Sequence, residues 1–190
     1  TGADPESDKS RWDAVYRRTK GYVFGREPSN FLVESLGLLP LGRALDLAMG
    51  EGRNAVYLAK KGFDVTGVDI SDVAIRKARR LARDNGVRIK AITADLNKYK
   101  IQPESYDVIM VFYFLDRSLT PQLIAGLKPG GALIFESNTM GQLKYDKSFN
   151  PAYLLKENEL RNMFEPHLEI KKYQEIDTGS EVVARIVAKK

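Results

Sequence analysis

The run Ala44-Leu-Asp-Leu-Ala-Met-Gly-Glu-Gly-Arg-Asn54, followed by Val65-Thr-Gly-Val-Asp69, constrains this chain more than any other feature. It reads as a strand, a glycine loop opening a helix, a second strand, and an acid at that strand's end. That is one nucleotide-binding unit. Gly50 and Gly52 let the backbone turn tightly and come close to a ligand with no Cβ in the way. Asp69 stands 19 residues beyond Gly50, where a carboxylate accepts from both hydroxyls of a ribose. Such a glycine pattern is weak alone and gains meaning from its surroundings.

Apolar spacing predicts a helix over Lys9 to Arg17, with Trp12 and Tyr16 one turn apart, and another after Pro28 that buries Phe31, Leu32 and Leu36. A strand over 44–47 leads to a helix from Asn54 that buries Ala55, Leu58 and Ala59 and ends at Gly62. A strand over 64–68 precedes a helix capped by Ser71, with Ala74, Ile75, Ala78, Leu81 and Ala82 on one face and Gly86 as its stop. Further strands are expected over 89–93, 107–112 and 132–135, the last entered through Lys128-Pro-Gly-Gly131. Thr120-Pro121 opens one more helix, and Leu160, Met163 and Phe164 mark another. Two alternating strands, near 168–174 and 181–187, close the chain around Asp177-Thr-Gly-Ser180. The order βαβαβ, βαβ, hairpin predicts an α/β fold: a mostly parallel sheet with helices on both faces and a closing antiparallel hairpin. Ligands of such sheets sit beyond the carboxyl ends of the strands, beside the first strand. That gathers Asp46–Gly52, Asp69, Ala94-Asp95 and Phe112–Arg117 around one cleft.

At 190 residues and 43% hydrophobic, the chain is sized for one domain with one core. Within it, residues 9–40 are expected to form a helical cap over the cleft, and residues 1–8 to be disordered or to derive from cloning. No apolar run approaches the ~20 residues of a bilayer span, and no signal peptide is visible. With no cysteine there is no disulfide, no thiolate metal site and no cysteine nucleophile, so a cytoplasmic protein without a metal is expected. The net charge of +5 is scattered, and Arg76-Lys-Ala-Arg-Arg80 reads as a solvated face.

Charge in the loop discriminates between cofactors. A dinucleotide offers a pyrophosphate to the helix N-terminus, and nearby acids oppose it. Here Asp46 ends the first strand and Glu51 lies within the loop, which suits a ligand carrying positive charge. S-adenosylmethionine has both a sulfonium and an ammonium. Asp95, at the end of the third strand, is placed to accept from an adenine amino group. A nicotinamide-dependent oxidoreductase is the reading that these acids oppose.

Together, Leu45–Asn54, Gly62-Phe-Asp-Val-Thr-Gly-Val-Asp-Ile-Ser71, Ala94-Asp95, Tyr106-Asp107 and Leu127-Lys-Pro-Gly-Gly131 resemble a class I, Rossmann-like S-adenosylmethionine-dependent methyltransferase. The likeness runs from about Trp12 to Ala188 and is greatest to the small enzymes of the tellurite-resistance and thiopurine type. It implies a seven-stranded sheet and the product S-adenosylhomocysteine. It also implies that Asp46 and the backbone of Ala48, Met49, Gly50 and Gly52 hold the methionine portion, with Arg53 and Asn54 beside it. Asp69 would grip the ribose, Ile70 cover the adenine, Asp95 and the Leu96 backbone bind its edge, and Val111 and Phe112 lie near the transferred methyl. Met49 departs from the pattern, since a smaller residue is usual there, and its side chain is expected to narrow the pocket.

For the acceptor, Trp12 and Tyr16 are candidate lid residues or core. Tyr113, Arg117 and Tyr145 are candidate substrate contacts, with Lys144 as a further anion ligand. Phe112-Tyr-Phe-Leu115 is not the Asn/Asp-Pro-Pro-aromatic tetrad of base amino methylation, and no aromatic basic stripe suggests an RNA partner. A small molecule remains: an oxyanion or thiol of a soft element, or a small oxygen or nitrogen nucleophile. A non-catalytic cofactor-binding module and a nucleic-acid methyltransferase stay open as alternatives.

Overall fold

The computed structural model describes residues 5–190. Seven strands form one sheet in the order β3-β2-β1-β4-β5-β7-β6. The chain divides into two compact units, one carrying β1 to β3 and the other β4 to β7.

In the first unit, β1 (Arg43–Leu47) pairs in parallel with β2 (Asp64–Asp69), and β2 with β3 (Lys90–Thr93). The register sets Asp46 opposite Gly67 and Asp69 opposite Thr93. Helix α3 (Arg53–Lys60) joins β1 to β2, and α4 (Asp72–Asp84) joins β2 to β3. The cap on α4 is the expected one, with the Ser71 hydroxyl accepting from Ala74 N–H at 3.2 Å. The first helix, α1, runs Pro5–Arg17, so residues 5–8, expected to be disordered, begin it instead, and residues 1–4 lie outside the described range. Helix α2 covers Asn30–Ser35 and buries Phe31 and Leu32 completely.

In the second unit, β4 (Tyr106–Phe112) pairs in parallel with β5 (Leu127–Asn138). Strand β7 (Val182–Lys189) lies antiparallel between β5 and β6 (Glu169–Asp177), which is the hairpin read from the sequence. Helices α5 (Thr120–Gly126) and α6 (Glu159–Phe164) complete it, and Phe164 rests on Phe135 with ring centroids 6.1 Å apart. The expected start of the fifth strand at residue 132 is corrected. Lys128-Pro-Gly-Gly131 continues the strand across a break in register between Tyr106 and Val108, rather than ending a turn. Gly131 is needed there because a Cβ would stand 3.0 Å from the Tyr106 carbonyl oxygen. Ile109, Met110, Leu133 and Ile134 are wholly buried, which is why β4 and β5 read as continuous apolar runs.

Candidate functional site: the glycine loop and its acids

The loop leaves β1 through Ala48, Gly50 and Gly52, all three at positive φ (55°, 59° and 86°). Two of these are glycines, for which this backbone is cheap; Ala48 takes it at a cost. Gly52 also meets a steric limit, since a Cβ there would stand 2.8 Å from the Cβ of Ala78 on α4. The loop is pinned to the neighbouring strand by Met49 N–H donating to the Val68 carbonyl at 2.9 Å.

Asp69 sits at the centre. Its Oδ2 accepts from Gly50 N–H at 2.8 Å and its Oδ1 from Ser71 N–H at 2.9 Å. One buried carboxylate thus ties the glycine loop to the end of β2. Burial raises its pKa, with Asp13 adding to the rise, against the lowering by the backbone N–H groups of Ser71, Gly50 and Ile70. These backbone bonds do not use all of the carboxylate's acceptor capacity.

Asp95 carries the most direct sign of a missing donor. Its Oδ1 accepts from Asn97 N–H at 3.0 Å, but Oδ2 is buried with no hydrogen-bond partner. A buried acceptor left unmade costs about 1–3 kcal/mol, so the atom suits an N–H supplied by a bound molecule. Leu96 beside it is buried, and Ile70 is half-buried.

Asp46 is 2% exposed, and no described residue donates a hydrogen bond to its carboxyl. Burial, then the nearby Asp69 charge, push its pKa up to about 8, with Arg53 pulling the other way. It is therefore mostly uncharged at neutral pH, which corrects its expected standing as a fixed negative charge. Glu51 needs a second correction, for its carboxylate is taken up by partners within the chain. It is 4% exposed, bound to Lys77 Nζ at 3.0 Å and to the backbone N–H groups of Val23 and Phe24 at 2.7 and 3.2 Å. Asp46 and Asp69, and not the loop glutamate, are thus the acids left beside the loop without an ion-pair partner among the described residues.

Other expected contacts have other tasks. Asn54 Oδ1 accepts from Ser29 N–H at 2.8 Å, anchoring the segment before α2. Arg53 reaches the Glu27 carbonyl at 3.4 Å and remains half-buried near Asp46. Met49, expected to narrow the pocket, has its side chain on Gly67, where a Cβ would come within 2.0 Å of its sulfur. The Gly67 that permits this is the compensating residue for the unusual methionine.

Trp12 and Tyr16 part ways. Trp12 is half-exposed, whereas Tyr16 is buried, its hydroxyl 3.0 Å from where a Gly50 Cβ would be. Their rings stack at 5.9 Å, and Phe24 meets Tyr16 edge-on at 6.1 Å. Burial, with Asp69 and Glu51 nearby, keeps the Tyr16 phenol protonated.

The second unit holds the remaining candidates. Val111 and Phe112 are buried at the carboxyl end of β4. Tyr113 follows them at φ 56°, exposed, donating its N–H to the Glu136 carbonyl at 2.7 Å and its hydroxyl to Glu181 at 3.3 Å. An aromatic residue in this conformation is an outlier of the kind that clusters at functional sites. Arg117, expected as an anion ligand, has its guanidinium engaged within the chain. It forks onto Glu159 at 2.6 and 3.0 Å and donates to the carbonyls of Ala152 and Leu154. Tyr145 and Lys144 both donate to Asp177, so each of the three residues expected to meet an anion has an acidic partner within the chain.

Sequence reasoning missed Lys77 and Asp13. Lys77 was lost within a run of basic residues, yet it falls in the period of Ala74, Ala78 and Leu81, which turns it inward on α4. Asp13 stands one turn before Tyr16 and accepts from the Ser71 hydroxyl at 2.5 Å.

A glycine loop between parallel strands, acids ending β2 and β3, and the β7 insertion next to β5 define a Rossmann-like protein of the class I methyltransferase fold. Within that class the chain belongs to the tellurite resistance protein TehB family, whose model matches residues 17–182. It is 32% identical over 140 residues to hemagglutinin 1 of Eikenella corrodens, covering 70% of this chain and 46% of that protein. It is 33% identical over 100 residues to the probable S-adenosyl-L-methionine-dependent methyltransferase TehB of Haemophilus influenzae, covering 51% of this chain and 35% of that protein. The chain thus spans less than half the length of these curated relatives. The crystal structure of TehB from Haemophilus influenzae superposes with a TM-score of 0.73 at 22% identity, over 96% of this chain and 66% of that one. No helix among the described residues is long and apolar enough to cross a membrane.

Proposed function

We propose that this protein transfers a methyl group from S-adenosylmethionine to a small-molecule acceptor. The observation that carries the reading is Asp95 Oδ2, a buried acceptor with no donor, at the end of the strand beside Asp69. An adenosine suits the pair: an exocyclic amino group for Asp95 and ribose hydroxyls for the free lone pairs of Asp69. Ile70 and Leu96 offer apolar cover for the base. The backbone of Ala48 to Gly52, with Asp46 for an ammonium and Arg53 for a carboxylate, would hold the amino-acid end.

The cofactor supplies a methyl group already activated by a positive sulfur. What remains for the chain is to hold the donor, align a nucleophile and keep water out. A dedicated base is needed only for an acceptor that arrives protonated. Among the expected acceptor contacts, Tyr113 is the one whose exposure and backbone conformation support the role. A soft-element oxyanion or thiol, or a small oxygen or nitrogen nucleophile, is the acceptor class.

Calorimetry with S-adenosylhomocysteine tests the cofactor, and tritiated-methyl transfer to tellurite, selenite, small thiols, amines, phenols and bulk RNA tests the acceptor. Saturable binding and labelling of a small molecule are expected. No binding to folded protein at millimolar ligand defeats the reading, and labelling of RNA alone moves it to nucleic acid.

A further inference from the structure

We propose that Glu51 and Lys77 are positioning residues for the cofactor site: their buried ion pair latches the segment from Tyr16 to Phe24 shut over the glycine loop. The inference rests on the cofactor reading above and goes beyond it, since neither side chain is given a ligand contact.

An ammonium has three protons to donate, and Lys77 uses all of them. One goes to Glu51 Oε2 at 3.0 Å, one to the Tyr16 carbonyl at 2.5 Å and one to the Thr19 carbonyl at 3.0 Å. The Tyr16 carbonyl lies in the last turn of α1, where carbonyls lack partners within the helix and a cation is favoured. Glu51 completes the arrangement from the other side, its Oε1 receiving the N–H groups of Val23 and Phe24. The helix end, the turn after it and the glycine loop therefore share one buried charge pair, with side chains 12% and 3% exposed.

Residues 9 and 13, in the middle of α1, are moored separately. Asp13 accepts from the Ser71 hydroxyl, and Lys9 pairs with Asp72 at 2.6 Å. Release of the Lys77–Glu51 pair thus loosens the Tyr16–Phe24 stretch, leaving it on the Tyr22 hydroxyl's bond to the Lys77 carbonyl and on Tyr16 packing against Val73 and Ala74, while residues 9 and 13 stay tied to the start of α4. The stretch carries Tyr16, whose ring lies over Gly50, and Phe24, which meets that ring edge-on.

Glu51 belongs both to the cofactor loop and to this closure, so the two are linked. Whatever favours the closed segment tightens the cofactor, and the cofactor favours the closed segment by the same factor. A buried ion pair suits a latch, because its geometry must be nearly ideal to hold and its loss leaves a charge unpaired.

The test uses Lys77→Met, Lys77→Arg and Glu51→Gln in the full chain. Trypsin cleavage after Arg17, Arg18, Lys20 and Arg26 reads the segment without any cofactor. Dissociation of S-adenosylhomocysteine is followed by fluorescence of Trp12, the sole tryptophan. In Lys77→Met and Glu51→Gln, cleavage of the ligand-free protein and the dissociation rate are each expected to rise about tenfold, within the usual range of such couplings. Lys77→Arg, which keeps charge and donors, is expected to recover most of both. Folded variants with wild-type cleavage and dissociation overturn the proposal. So does loss of fold in both Lys77→Met and Glu51→Gln, which makes the pair a plain structural element. A wild type that shows no response to S-adenosylhomocysteine defeats the cofactor reading and this inference with it. A wild type that binds while its variants match it defeats this inference alone.

Discussion

Asp46 turns burial into a pH dependence of its own. In the ligand-free protein its pKa stands near 8, above the ordinary 3.8. On the proposed reading an ammonium sits against it and favours the charged form, so binding below that value is expected to release a proton. Affinity for S-adenosylhomocysteine is expected to rise about tenfold per pH unit between pH 6 and 7.5 and to flatten near 8. Calorimetry in buffers of different ionisation enthalpy measures the proton released, and Asp46→Asn should abolish the slope. The stability of the ligand-free protein runs the other way. The folded state holds a proton that the unfolded chain has lost, so this group lowers stability as pH rises from about 4 to about 8. The melting-temperature advantage of Asp46→Asn over wild type should therefore grow across that window. Asp95→Asn tests the adenine contact while keeping Oδ1 for Asn97. An amide N–H facing an amino group costs about 1–3 kcal/mol of binding, or roughly 5- to 150-fold in affinity, with little change in melting temperature.

At the scale of elements, the β1–loop–α3 unit was legible because its cues are local. Glycines permit positive φ, a serine caps α4, and apolar residues keep the helical period within a few positions. The pairing of Met49 with Gly67 was not legible, since the two meet only when β1 and β2 align. Gly67→Ala should cost about 1–3 kcal/mol by forcing the methionine aside. Met49→Ala should cost more, about 2–5 kcal/mol, as a buried side chain lost. In the double variant the added methyl meets vacated space, so urea unfolding should show it less destabilised than the sum by about 1 kcal/mol or more. A strictly additive pair would show that the two side chains do not compete. The length of β5 escaped sequence reading for a similar reason: Pro129-Gly-Gly131 reads as a turn until a neighbouring strand accommodates it as a register break.

At the scale of the whole molecule, a ligand held only by the folded chain stabilises all of it. S-adenosylhomocysteine at a hundred times its Kd adds about 2.7 kcal/mol, which for a chain of this size is a rise of roughly 5–10 °C in melting temperature. A thermal scan showing no rise at millimolar ligand contradicts the cofactor reading. The sequence by itself determined the strand and helix order, the glycine loop and the acids at the ends of β2 and β3, since backbone preference and hydrophobic period act over a few residues. Only the tertiary structure decided which charges stay available. Glu51 finds Lys77 26 residues away and Val23 28 away, and Arg117 finds Glu159 42 away. Those partners arrive through folding, and they turn an apparent ligand acid and an apparent anion site into internal ties. Asp69 and Asp95 keep oxygen lone pairs in reserve, because the backbone around each supplies fewer donors than a buried carboxylate can accept.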